Sequence, residues 1–234
     1  MCIRDRDRDP GLSLLMGHGS GSFGHWAAKP YSTREGVGTA EQWRGFAQVA
    51  AAAAQLNAIV RSAFLEADVP VFSLQPSASA RCQDGLLRQL EMRPIEEALD
   101  NGLVPLLYGD VALDDVRGGT IISTEDIFSY LAAELAPARI LLLVDAPGVL
   151  GPGGALVGRI SPADLSLLQQ SLGESRGIDV TGGMASKVGA MVELVQRQQG
   201  LTVRILPGGE PGLLTRALLD PSAELGTLIS AENG

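Results

Sequence analysis

The sequence predicts an α/β fold, a three-layer αβα sandwich with a mainly parallel central sheet. Five apolar runs, at residues 12–16, 69–74, 103–107, 139–144 and 202–206, have the length of buried strands. Helical patterns at 40–67, 95–101, 125–136, 162–171 and 185–199 fall between most of them. Strands that alternate with helices form a parallel sheet covered on both faces. The stretch 111–122 breaks the alternation, with Asp114, Asp115, Gly118 and Gly119 between short β-prone pieces. It reads as a β-hairpin inserted beside the sheet.

Individual elements follow from their residues. The alanine-rich run 46–65 is interrupted by Gln48, Gln55, Asn57 and Arg61, so it reads as a buried helix of a soluble protein. Gly-Pro-Gly-Gly at 151–154 marks a surface loop or a second hairpin. Residues 1–10 alternate Arg and Asp from position 4 to 9 and carry no core-forming pattern; they read as a non-native or disordered segment, or else a functional basic arm. Residues 11–234 then form one domain with no evident linker.

Composition excludes several function classes. With 45% hydrophobic residues the chain is globular, and its net charge of −9 argues against nucleic acid as a general partner. An anionic ligand must then be held by local donors. Cys2 and Cys82 have neither metal-site spacing nor a disulfide framework, which makes a reducing cytoplasmic location the expectation. No run of 18 apolar residues and no signal peptide is present, so membrane insertion is not expected.

Three clusters carry chemistry. Residues 17–25 read Gly-His-Gly-Ser-Gly-Ser-Phe-Gly-His directly after an apolar run. Glycines permit a φ > 0 turn that brings backbone N–H groups to phosphate oxygens, and His25 adds a titratable donor. Gly19, Gly21 and Gly24 also spell the dinucleotide fingerprint; Glu41, the acidic partner that reading wants, begins a helical pattern instead. Asp179-Val-Thr-Gly182-Gly183-Met-Ala-Ser-Lys187 places two glycines before a helix start and a lysine about one turn in, which suits nucleotide phosphates. It lacks Walker A spacing. Lysine is scarce here, Lys29 and Lys187 against 16 arginines, which sharpens the signal at Lys187. Tyr108-Gly109-Asp110 and Asp145 follow apolar strands, where open parallel sheets present ligands. Either carboxylate is placed to orient a lysine or to reach a Mg²⁺-bound phosphate through water, and either is equally a turn-forming Asp.

Together with Val111, Ile121-Ile122-Ser123 and Gly148-Val149-Leu150, these segments resemble the amino-acid kinase superfamily, and within it the isopentenyl phosphate kinase family. The resemblance implies ATP-dependent phosphorylation of isopentenyl phosphate, a prenyl monophosphate, with Mg²⁺, by a homodimer. Under it His25 and Lys187 are the catalytic pair. Ser20, Gly21, Gly24, His25 and Gly109 bind the acceptor, while Gly21, Asp145, Asp179, Gly182, Gly183 and Lys187 serve ATP; no residue binds metal directly. The helix at 46–65 would line the acceptor's apolar tail, with Ala50 to Ala54 leaving room for longer prenyl chains.

The chain departs from the family at its start. Members open with a strand carrying Lys-x-Gly-Gly-Ser, then a helix, ahead of the glycine loop. Residues 1–10 stand where those elements should end, so the resemblance implies an N-terminally shortened, poorly active and marginally stable form. Pro147 replaces a second Asp frequent in relatives. The rival readings are a sibling kinase of another phosphate or phosphonate acceptor (fosfomycin-kinase-like), a nucleotide-binding remnant without turnover, and a nicotinamide oxidoreductase.

Overall fold

The computed structural model describes residues 12–19, 31–164 and 182–231. The chain divides into two compact units, residues 1–131 and 132–234. Five strand pairs among the described residues are parallel and three antiparallel, an α/β fold with mostly parallel sheets.

In the first unit, β1 (Met16–His18), β2 (Val71–Ser73) and β5 (Val104–Tyr108) form a parallel sheet with β5 in the middle. All five residues of β5 are buried, as expected for a central parallel strand. Proline at its second position explains why β1 begins later than the apolar run at 12–16. Val104 N–H donates to Pro70 and Gly109 N–H to His18, so even-numbered residues of β5 face β2 and odd-numbered ones face β1. Pro105 therefore withholds a donor from β1, and pairing starts only at Met16↔Leu106.

The helix α1 (Ala40–Glu66) starts at Thr39, whose hydroxyl accepts from Gln42 N–H at 3.2 Å, while the Gln42 side chain accepts from Thr39 N–H at 3.1 Å. This capping box contributes about 1 kcal/mol. The helix was expected to be buried, but only Gly45, Val49, Ala53 and Asn57 are, a single stripe at four-residue spacing. One packed sheet face needs one buried stripe, so the remainder faces outward. Val60 and Phe64 of α1 pack with Leu14 and Met16 against Val69, Val71, Val104 and Leu106.

The inserted hairpin is present as β6 (Asp110–Asp114) and β7 (Gly118–Ile122). A second hairpin, β3 (Arg81–Gln83) with β4 (Leu86–Gln89), extends it into a four-stranded sheet ordered β4-β3-β6-β7. Both turns are held by one buried carboxylate. Asp114 Oδ1 accepts from Asp84, Val116 and Arg117 N–H at 3.1, 2.8 and 2.8 Å, and Oδ2 accepts from Gly85 N–H at 2.7 Å. Burial alone would raise the Asp114 pKa; these four donors outweigh it and lower the pKa. Arg117 then binds Asp84 through Nε at 2.9 Å, and its carbonyl accepts from Val37 N–H at 2.8 Å. Gly118, at φ +76°, lets Val37 come this close: a Cβ there would lie 2.2 Å from the Val37 carbonyl oxygen. The hairpins thus seat the segment that follows residue 30. Among the described residues the unit also holds α2 (Arg93–Asp100) beside β5 and the first turns of α3 (Thr124–Leu135), which follows β7.

The second unit holds β8 (Arg139–Val144), β9 (Arg159–Ile160), β10 (Thr202–Pro207) and β11 (Thr227–Ser230), in the order β8-β10-β11-β9. The antiparallel β11 was not legible in the sequence. Helix α4 (Gly182–Arg197) lays Val188, Met191, Val192 and Val195 onto Val203, Ile205 and Ile229. That spacing is one helical face. A short helix, α5 (Leu213–Leu219), is held at its carboxyl end by the Arg139 guanidinium on the Ala217 and Leu218 carbonyls, both at 3.0 Å. The glycines at 151–154 make a tight reversal, with a 3₁₀ turn at Pro152–Gly154 and an antiparallel bridge Leu150↔Leu156. The helix expected over 162–171 is described only at 162–164. No helix among the described residues is long and apolar enough to cross a membrane.

Two stability predictions follow from this packing. Asp114→Asn removes the charge and turns an NH₂ toward backbone donors, lowering stability by about 3 kcal/mol at neutral pH. A depressed native pKa means the contribution is complete above the unfolded value of about 3.9 and is lost as pH falls through the native one. Denaturation followed by Trp26 and Trp43 fluorescence should therefore show the two proteins converging in acid; a gap that persists there contradicts this account. At Gly17 a Cβ would lie 2.3 Å from the Phe128 ring. Gly17→Ala is expected to lose about 1–3 kcal/mol, and adding Phe128→Leu should restore part of it.

Candidate active site

In the first unit the candidate site grows from the carboxyl edge of the parallel sheet, where such sheets present ligands. The last residues of β1, β2 and β5 are His18, Ser73 and Tyr108. The His18 carbonyl accepts two hydrogen bonds, from Gly109 N–H at 3.2 Å and from the Thr124 hydroxyl at 2.7 Å. Gly109 is therefore brought against the start of the glycine loop. Thr124 is the first residue of α3, so the positive end of that helix abuts the same point. Ser123 caps α3, exchanging bonds with Asp126: Ser123 N–H to Oδ2 at 2.8 Å and Asp126 N–H to Ser123 Oγ at 3.1 Å. The Ile121-Ile122-Ser123 segment thus orients the helix that braces the loop.

Of the loop's glycines, Gly17 and Gly19 are described. Neither Gly17 nor Gly19 adopts positive φ. At Gly17 a Cβ would meet the Phe128 ring of α3 at 2.3 Å, so a side chain there requires that ring to move. Among the described residues nothing lies within 4 Å of a Cβ at Gly19. Ser20, Gly21, Gly24 and His25 lie outside the described residues, as does Asp179.

Asp110 is also not a strand-end ligand. It is 1% exposed, and its carboxylate accepts from Ser77 N–H at 3.1 Å and Val111 N–H at 2.8 Å. Burial raises its pKa, with the Ser77 and Val111 bonds opposing. Its oxygens hold the 3₁₀ turn at Pro76–Ala78.

In the second unit, Asp145 is exposed immediately after β8. The neighbouring parallel strand ends level with it: Gly208 N–H donates to the Val144 carbonyl at 2.8 Å. Behind this edge, Thr227 links Gly148-Val149 to β11 and β9. Its hydroxyl accepts from Val149 N–H at 2.8 Å and donates to the Val157 carbonyl at 2.7 Å. Gly148 has φ +151°, and a Cβ there would lie 2.7 Å from Thr227 Oγ1.

Gly182 and Gly183, expected as a turn ahead of the helix, are its first two residues. Glycine in a first turn still offers N–H groups without intrahelical partners, which is what an anion requires. Lys187 is the sixth residue of α4 and half-buried, and burial lowers its pKa. A partly desolvated ammonium gains more from an anionic partner than a fully hydrated one. Among the described residues no group of three or more His, Cys, Asp or Glu side chains is placed to hold a metal ion. Thr124, Thr227 and Asn57 were not singled out as site residues from sequence; their roles depend on partners 16 to 106 positions away, the longest being Thr124 with His18.

The sequence model of the amino acid kinase family matches residues 6–207. An isopentenyl phosphate kinase of Methanothermobacter thermautotrophicus is 32% identical over 233 residues, covering 94% of this chain and 85% of that protein. One from Haloferax volcanii is 37% identical over 180 residues, 74% of this chain and 71% of that protein. A crystallographic isopentenyl phosphate kinase superposes with a TM-score of 0.79 at 29% identity, covering 97% of this chain and 88% of the other. The chain belongs to the amino acid kinase family and, within it, to the isopentenyl phosphate kinases.

Proposed function

We propose that the protein transfers the γ-phosphoryl group of ATP to isopentenyl phosphate, giving isopentenyl diphosphate and ADP. The observation that carries this is the kinship with an isopentenyl phosphate kinase over 94% of the chain, joined to the sequence Gly17–His25, which begins at the carboxyl end of β1. In the reaction an acceptor phosphate oxygen forms a bond to the γ-phosphorus. The bond from that phosphorus to the β,γ-bridging oxygen breaks, and ADP keeps the electron pair. A phosphate monoester is already ionised near neutral pH, so the site needs no general base, only in-line placement and charge neutralisation.

His25 is assigned to donate to the acceptor phosphate, beside backbone donors of Ser20, Gly21 and Gly24 and with Gly109 at the rim. Lys187 and the first-turn N–H groups of Gly182 and Gly183 are assigned to the ATP phosphates. Asp179 and Asp145 order the nucleotide side. Mg²⁺ bound with ATP would offset the charge of the phosphates, and Asp145 would reach it through water. The assembly under this reading is a cytoplasmic homodimer.

The test is steady-state kinetics with isopentenyl phosphate, a phosphonate acceptor and geranyl phosphate. Isopentenyl phosphate should be turned over and the phosphonate ignored; the reverse would transfer the protein to a sibling activity. Lys187→Met should lower kcat about 100-fold, as loss of one charge-stabilising donor does. His25→Asn should chiefly raise the acceptor KM or lower kcat, with ATP binding retained. Ala53 is buried in α1 while Ala50, Ala52 and Ala54 are half-buried, a small-residue stretch that leaves room for a longer tail. Geranyl phosphate is therefore expected to be a substrate, and a sharp fall in its turnover would oppose that assignment.

A further inference from the structure

One side-chain chain at the carboxyl edge of the first unit has no part in the roles assigned above. The His18 ring lies flat on Tyr108, with ring centroids 5.5 Å apart and planes 7° from parallel. Tyr108 is 2% exposed, and burial, then Asp110, push its pKa up to about 12, so the platform is a neutral phenol. His18 Nε2 lies 3.2 Å from Asn57 Oδ1, and Asn57 Nδ2 donates to Ser73 Oγ at 2.5 Å. On its other side, Nδ1 lies 3.0 Å from the Gly19 carbonyl oxygen. Both ring nitrogens thus face carbonyl oxygens, and the two hydrogen bonds form together only on a ring that carries both protons.

Asn57 is out of place by packing alone. It is 6% exposed and shares its buried stripe of α1 with Gly45, Val49 and Ala53. A buried amide there is tolerated only with partners, and His18 and Ser73 are those partners. Two successive peptides at the end of β1 are then restrained from different directions. The His18 carbonyl is held by Gly109 and Thr124, and the Gly19 carbonyl by the His18 ring. Among the described residues nothing lies within 4 Å of where a Gly19 Cβ would be, so none of them packs against that position.

We infer that His18 is a positioning residue of the acceptor site: the chain Ser73–Asn57–His18 fixes the Gly19 peptide from which the glycine loop leaves β1. The inference rests on the phosphoryl-transfer reading above. Its effect is on acceptor placement, because the chain sits wholly in the first unit, at the root of the acceptor loop.

Two measurements test it. The protein has two histidines, so His18 ring nitrogen signals can be assigned by comparison with His25→Asn. Ser73→Ala should shift those His18 signals, and an unchanged spectrum would overturn the chain. In kinetics, His18→Phe keeps the stack on Tyr108 but removes both hydrogen bonds. It should raise KM for isopentenyl phosphate roughly tenfold, the equivalent of one polar contact, with KM for ATP unchanged. Ser73→Ala should raise the same KM by a smaller factor and add nothing in the His18→Phe background. Equal rises for both substrates, an unchanged acceptor KM, or full additivity would overturn the inference. Should His18→Phe fail to fold, Ser73→Ala alone decides, by a selective rise or none. If the wild-type protein does not phosphorylate isopentenyl phosphate, the proposed function falls, while the ring spectrum still decides whether the chain exists.

Discussion

The backbone carbonyl of His18 accepts from both the Gly109 amide and the Thr124 hydroxyl, and the functional edge of the first unit is organised around that oxygen. One bond brings the turn between β5 and β6 to the end of β1. The other draws the amino end of α3 onto the same spot. That second approach is close enough to place Phe128 against Gly17, so a side chain at the position before His18 requires that ring to move. A strand end, a turn and a helix start are thereby fixed together where the loop proposed to hold the acceptor phosphate begins. Preorganisation of this kind is what phosphoryl transfer asks of a protein, since its chemistry is mostly placement and charge compensation.

The paired hairpins serve the other end of that loop. Asp114 gathers four N–H groups from two turns, and the Arg117 it positions receives Val37 on the chain returning toward α1. A carboxylate buried this way is costly unless every oxygen is used, and here both are. The second unit follows the same logic with different groups. Thr227 and Gly148 lock the segment beyond β8, leaving Asp145 exposed at the strand end and α4 offering two glycine amides and Lys187.

Much of this was legible in the sequence. Runs of apolar residues located β5, β8 and β10 within a residue or two; in β5, buried along its whole length, the run must be continuously apolar. The helical pattern at 40–67 matched α1, and the Asp and Gly residues at 114–119 marked a hairpin. The failures have physical causes. β1 shifted because a missing donor on Pro105, a residue 90 positions further along, sets where pairing can begin; the register Met16↔Leu106 shows that separation. The β3–β4 hairpin is polar on its outer face, and β11 is short and follows irregular chain, so neither has a distinct period. Asp110 was open between a ligand and a turn-former, and its burial with bonds to Ser77 and Val111 N–H makes it the latter. Asn57 read as an interruption of a helix, whereas it is the polar link between α1 and the strand ends.

The central claim is that a phosphate monoester, and not water, receives the phosphoryl group at this site. Phosphorus-31 NMR of the protein with ATP, Mg²⁺ and isopentenyl phosphate tests it most directly. The account predicts coupled diphosphate doublets of a new prenyl diphosphate appearing in step with ADP. Appearance of ADP with inorganic phosphate, the isopentenyl phosphate signal unchanged, would contradict it.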